Sequence, residues 1–362
     1  MIYIITFFIS IFCAYCVEIS RSKILKIIFF ISSMIPLILI GGFRDITIGA
    51  DTQAYPLTSF EWAQNYVYIS QFLTGEMIEP LYVLYVWLVV HFISNNFQDV
   101  LFWTNTFIIV FFYLGFYRFK KMAPMHTMVF LFCFLFFNLF LSMSRQGMAM
   151  ALVFFASSFL VLNRKLIPFA IIVCISSFIH KSALLALLLI PFLYIQNKKV
   201  NKYIVITAII IFITYSTVLK YFVSFDSLEK YSQYQVGENY EGFFSISEFI
   251  IRCVSLSSII FCTKKIYKDK FYDSVIALFI CEFFVNLLQI YSRYAGRIGY
   301  YYFSMYLVLL PHYVLKLGKS KYKRVVWTGI ILLSVFFWWY VNIETQSGYT
   351  YPYSSKILRN II

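Results

Sequence analysis

Apolar runs of near-membrane length recur through this chain from one end to the other. About 20 mostly apolar residues, within a range of about 17–25, suffice for a helix to cross a bilayer. The chain therefore reads as an all-α polytopic membrane protein. Its 362 residues are 61% hydrophobic and only 13% charged, and no soluble domain is evident. Residues 1–362 form a single integral membrane domain on this reading. The first 17 residues lack a basic start and an A-x-A-like cleavage site, so they read as a first spanning helix.

The expected spans are 1–17, 24–43, 99–117, 125–142, 144–162, 166–180, 182–197, 203–223, 247–264, 272–290, 299–316 and 325–343, about twelve crossings. Orientation follows from the basic links at 21–26, 118–121, 164–165, 198–202, 264–270 and 316–324. They hold 20 of the 30 Lys and Arg residues and should lie on the cytoplasmic side. Both termini then face outward. Residues 81–93 are apolar but number only 13. As a span they would put the Arg118, Lys120 and Lys121 cluster outside. They read instead as a short interfacial or re-entrant helix on the outer side. The extracytoplasmic loops are thus 44–98, loop-like over 44–78, and the Tyr-rich, acidic 224–246.

A formal charge of +14 raises the question of nucleic acid. The cations sit in short inter-helix links, as the positive-inside rule requires, and no basic face with interleaved aromatics stands outside the membrane. Nucleic acid is excluded as a partner. All seven cysteines lie in apolar segments, including the C-x-x-C of Cys13 and Cys16, and read as small buried hydrophobes. No P-loop, dinucleotide or zinc motif occurs in a credible context, and no internal repeat of the transporter kind is visible.

Four polar groups interrupt the apolar runs, all on the outer side of this topology. The first is Asn138, Ser142 and Arg145 with Gln146, in NLFLSMSRQGMAMA. A guanidinium at mid-bilayer costs about 2.5–3.5 kcal/mol on insertion scales, so Arg145 reads as functional, at the outer rim. On one continuous helix the spacing of Asn138, Ser142 and Arg145 makes a stripe; the bland alternative is an arginine snorkelling to headgroups. The second is His180 with Lys181 and Ser182, in FIHKSAL. Imidazole can take a proton near neutrality, although a lone His at a helix end is more often structural. The third is Glu282, Asn286, Gln289, Arg293 and Arg297, one polar stripe in which Glu282 needs an interior partner. The fourth is Arg44, Asp45, Gly49, Asp51 and Tyr55, with Glu79 and Tyr82 following in EPLY. There Glu79 is either a site residue or the cap of the short helix.

These residues give a family resemblance. Arg44 with Gly49-Ala50-Asp51 and Tyr55, Glu79-Pro80 with Tyr82, Arg145-Gln146 with Ala149, and His180-Lys181-Ser182-Ala183 resemble the O-antigen and exopolysaccharide polymerases. These form the Wzy group, and the likeness within it is to the EpsG-like family. It covers roughly residues 40–185, then rests on Arg293, Arg297 and Pro352-Tyr353. Leu81 stands where such sequences often have Gly, and Ser144 where they often have an amide or aliphatic residue; neither departure touches a charged position.

The resemblance implies a membrane glycosyltransferase of the broad GT-C type in a bacterial cytoplasmic (inner) membrane, its active site facing outward. Donor and acceptor are undecaprenyl-diphosphate-linked oligosaccharides, with no metal or other cofactor obviously required and a chain-length regulator as a further partner. Arginines can fork onto diphosphate oxygens and stabilise the charge that grows as the glycosidic bond breaks. Arg145, Arg293 and Arg297 are the expected diphosphate ligands, with Arg44, Glu79 and Gln146 also in the substrate site. His180 is the first choice for general base on the acceptor hydroxyl and Asp51 the second. Two rivals stay open: a lipid-linked oligosaccharide flippase or anion carrier, and a ligase that moves finished polymer to another acceptor.

Overall fold

A computed structural model of the chain describes residues 1–66, 78–223, 246–265, 270–290, 297–318 and 321–358. Arg293 and most of the expected loop 224–246 lie outside the described residues. Those described are helical, with no strand among them. The helices are α1 (Ile2–Ile19), α2 (Lys23–Gly42), α3 (Thr58–Asn65), α4 (Pro80–Phe92), α5 (Phe97–Phe119), α6 (Met125–Ser142), α7 (Ser144–Asn163) and α8 (Leu166–Ser177). They continue as α9 (Lys181–Ile195), α10 (Lys198–Val223), α11 (Ile246–Lys265), α12 (Lys270–Leu287), α13 (Gly299–Phe303), α14 (Tyr306–Lys316) and α15 (Lys321–Trp339).

Seven helices among the described residues are long and apolar enough to cross a membrane: α1, α2, α5, α6, α7, α12 with its continuation to Ile290, and α15 with its continuation to Glu344. The protein is a multi-pass membrane protein. Shorter apolar helices include α4, α8 and α9. The expected span 299–316 is broken at Ser304 and Met305 into α13 and α14. Residues 81–93 do form a short helix, α4, opened by Pro80 at its first position, where a missing N–H costs nothing.

The chain divides into two compact units. The first comprises residues 1–184, 307–311 and 331–362; the second comprises 185–306 and 312–330. In the first unit α1 packs on α2, α2 on α5, and α5 on α7. Phe112 of α5 meets Phe132 and Phe140 of α6 and Phe154 of α7, with ring centroids 4.8, 5.2 and 5.1 Å apart. Such spacings suit tilted and offset aromatic pairs. Gly115 lets α5 approach α7, because a Cβ there would lie 2.6 Å from the Phe154 ring. Buried polar groups tie three helices. Ser33 of α2 donates to the Ser10 carbonyl of α1 at 2.7 Å, and Tyr113 of α5 donates to the Ser33 carbonyl at 2.9 Å.

Two features of this unit place the site. The first is a break at Met143 (φ −112°, ψ 58°), which ends α6 and restarts the chain as α7. Asn138 and Ser142 therefore do not continue the helix that carries Arg145. The second is the segment after α15. Asn138 donates to Thr350 Oγ1 at 3.0 Å and accepts from Trp338 Nε1 at 2.8 Å, while Ser142 donates to the Gly348 carbonyl at 2.5 Å. The Tyr349 carbonyl accepts from Gly49 N at 2.9 Å, the Ser354 carbonyl from Asp45 N at 2.9 Å, and Tyr353 Oη donates to the Ile40 carbonyl at 2.9 Å. Residues 348–354 thus lie across the end of α2, the first loop and the end of α6.

Candidate functional site

Arg44 follows α2 and is only 2% exposed. It donates to the Gly41 carbonyl at 2.5 Å, the Ile48 carbonyl at 3.4 Å, the Leu141 carbonyl at 3.3 Å and Ser144 Oγ at 3.3 Å. Burial pushes its guanidinium down to about 10, so it stays charged at neutral pH. The two acceptors on either side of the Met143 break, Leu141 and Ser144, are held by this one side chain. The loop can approach so closely because Gly49 has φ +94° and no Cβ; a Cβ there would collide with the Leu141 carbonyl. The sequence expectation put Arg44 among substrate ligands, but its donors point at the protein's own acceptors.

Arg145 lies one residue beyond Ser144, in the first turn of α7. Its Nη1 donates to Glu79 Oε2 at 2.5 Å, and each of the two side chains is 11% exposed. The guanidinium lies over the Tyr55 ring, 3.8 Å from its centroid, with the Tyr82 ring at 5.9 Å. Among the described residues, Nε and Nη2 meet no protein acceptor. Those two nitrogens form the side fork that suits a bidentate phosphate or carboxylate. Gln146 follows and is buried.

Glu79 reaches away from its own helix. It occupies the N-cap of α4 but makes no side-chain cap bond there. Its second oxygen, Oε1, accepts from Lys181 N at 3.2 Å, and Leu81 N donates to the Phe178 carbonyl at 2.9 Å. The start of α4 is thereby fixed to the turn between α8 and α9. That turn carries His180, whose Nδ1 lies 2.6 Å from Ser182 Oγ. Asp51 lies one turn before Tyr55 and is half-buried; its carbonyl accepts from Tyr55 N at 3.2 Å. Arg44, Glu79, Arg145 and the His180 turn are thus joined by direct contacts or single intervening residues, all within the first unit.

The third sequence stripe lies in the second unit. Glu282 has the interior partner it needs: Arg252 of α11, whose Nε is 2.7 Å from Glu282 Oε1, with the two side chains 1% and 0% exposed. Phe303 covers the Arg252 guanidinium at 4.4 Å. Asn286 and Gln289 are buried beyond the pair on the same stripe. Arg297 is half-buried just before α13, and its carbonyl accepts from Tyr300 N at 3.3 Å. Arg252 was missed from the sequence, although it meets the same test as Arg145: a lone guanidinium in an apolar helix. Among the described residues no cluster of three or more His, Cys, Asp or Glu could hold a metal ion.

Comparison with known proteins agrees with the resemblance carried by these motifs. The model of the EpsG family matches residues 26–355. The chain belongs to the EpsG family. That match reaches from α2 through the segment that docks on Arg44's loop, so it takes in both units and every candidate site residue. Membership in the EpsG family gives the chain an exopolysaccharide or O-antigen polymerase type of role and makes it a transferase at that coarse level. No curated protein and no solved structure matched the chain.

Proposed function

We propose that this EpsG-family protein lengthens a polysaccharide at the outer leaflet of a bacterial cytoplasmic membrane. It transfers the growing glycan from undecaprenyl diphosphate to a sugar hydroxyl of a new lipid-linked repeat unit. The observation that carries this reading is the state of Arg145: anchored through one nitrogen, stacked on Tyr55, and with its side fork lacking a protein acceptor among the described residues. A diphosphate leaving group gains charge as the glycosidic bond breaks, and a guanidinium held ready for it lowers that barrier by several kcal/mol.

Each residue expected from the sequence takes a role in this scheme. Arg145 binds the diphosphate, and Arg293 and Arg297 are further candidates for it. Gln146 stays with the substrate site. His180 accepts the proton of the attacking hydroxyl. Asp51 is the second candidate for base. Arg44 positions the turn that bears Arg145. The chain needs no metal or nucleotide sugar in this scheme, and a chain-length regulator is its expected protein partner.

The test is the lipid-linked glycan ladder in cells carrying Arg145→Ala or His180→Ala at normal membrane levels. Both variants should yield single repeat units in place of long polymer, and polymer of normal length from both would refute the reading. Long chains retained on the lipid carrier after gene deletion would mark a ligase. Substrate crossing in one-side-loaded vesicles without lengthening would mark a transporter.

A further inference from the structure

We propose that Glu79 is a positioning residue that sets the diphosphate-binding arginine and the His180 turn in one frame, without itself touching substrate. This rests on the reading of Arg145 given above. The geometry is a two-handed bridge. One carboxylate oxygen takes Arg145 Nη1 at 2.5 Å; the other takes Lys181 N, the amide next to His180, at 3.2 Å. Bidentate use by two partners from two different helices leaves Glu79 committed to the protein. Its position at the start of α4 is itself fixed, through Pro80 at the first helical position and through Leu81 N on the Phe178 carbonyl.

Charge alone makes the opposite prediction from position. A carboxylate beside a guanidinium weakens the pull on any incoming anion, so removing it should tighten diphosphate binding. A carboxylate that aims the guanidinium should, when removed, loosen it. Arg145 has a flexible stem and is otherwise restrained by stacking on Tyr55 at 3.8 Å, which fixes its plane but not its rotation within that plane. The Glu79 contact supplies the missing restraint and turns the Nε–Nη2 fork to one direction. Glutamine in this place cannot serve both donors, because its amide nitrogen would face an N–H.

The experiment uses the full chain in detergent and a sugar-free probe, farnesyl diphosphate, with affinity measured for wild type, Glu79→Gln, Glu79→Asp, Glu79→Ala, Arg145→Ala and Glu79→Ala/Arg145→Ala. Melting temperature is recorded for each, and binding is compared among proteins that melt as wild type does. Glu79→Gln should lose about tenfold in affinity, Glu79→Asp should recover part of it, and the double variant should bind no more weakly than Arg145→Ala. Unchanged or tighter binding by Glu79→Gln would overturn the proposal, as would losses that multiply in the double variant. Should only the Gln variant fold, the sign of its change still decides. If Arg145→Ala itself binds the probe normally, the diphosphate reading of the site fails and takes this inference with it. If Arg145→Ala binds weakly while Glu79→Gln does not, only the inference fails.

Discussion

Two arginines separated by a hundred residues divide one task between them. Arg44 is enclosed and gives its hydrogen bonds to three carbonyls and one hydroxyl, whereas Arg145 gives one and stacks on a ring. Removing Arg44 leaves buried acceptors unmet, at about 1–3 kcal/mol for each. Arg44→Ala should therefore lower stability by about 3 kcal/mol or more and shorten the polymer through the displaced Arg145 turn. Thermal melting in detergent and the glycan ladder check the two effects. The buried Arg252–Glu282 pair behaves differently. Arg252→Ala should cost about 3–5 kcal/mol, because it strands a carboxylate in the interior. Replacing both partners together, Arg252→Leu with Glu282→Leu, should cost less, and melting of the three proteins shows the order. The sequence exposed Arg145, Glu79 and His180 because a charged or titratable group stands out against apolar neighbours. It did not separate Arg44 from them, since a loop sequence says nothing of whether a guanidinium turns inward to carbonyls. Arg252 and Glu282 lie 30 positions apart, with no local period to link them.

At the level of helices, seven of the twelve expected spans match helices long and apolar enough to cross, because hydropathy over about twenty residues is a strong signal. The breaks were not. Met143 has no sequence mark of a helix stop, so the spacing of Asn138, Ser142 and Arg145 suggested one stripe where there are two destinations. Asn138 and Ser142 hold the segment after α15; Arg145 meets Glu79. That docking was equally hidden, because its contacts join residues some 200 positions apart. Removing residues 346–362 should leave the protein inserted at normal levels yet unable to make long polymer, since Gly49, Asp45 and Asn138 all lose partners. An immunoblot of the membrane fraction beside the ladder measures both. Gly49→Ala offers a sharper version. With φ at +94° and the Leu141 carbonyl in the way, it should destabilise by about 1–3 kcal/mol, read by melting.

For the whole molecule, the orientation expected from the charge distribution can be tested directly. With basic links inside, cysteines placed at positions 50 and 181 in a cysteine-free background should react with a membrane-impermeant maleimide in intact cells. Cysteines at 121 and 199 should react only after lysis. Opposite labelling of 50 and 181 would place the loop of Arg44 and the turn of His180 on different faces, and the proposed site would not exist. The docking of residues 348–354 on the loop after α2 carries a further consequence for biogenesis. Gly49 and Asp45 precede the residues whose carbonyls hold them, Tyr349 and Ser354, by about 300 positions. Competence should therefore be acquired only after synthesis has passed that segment, and a nascent chain interrupted before it should enter the membrane unable to work.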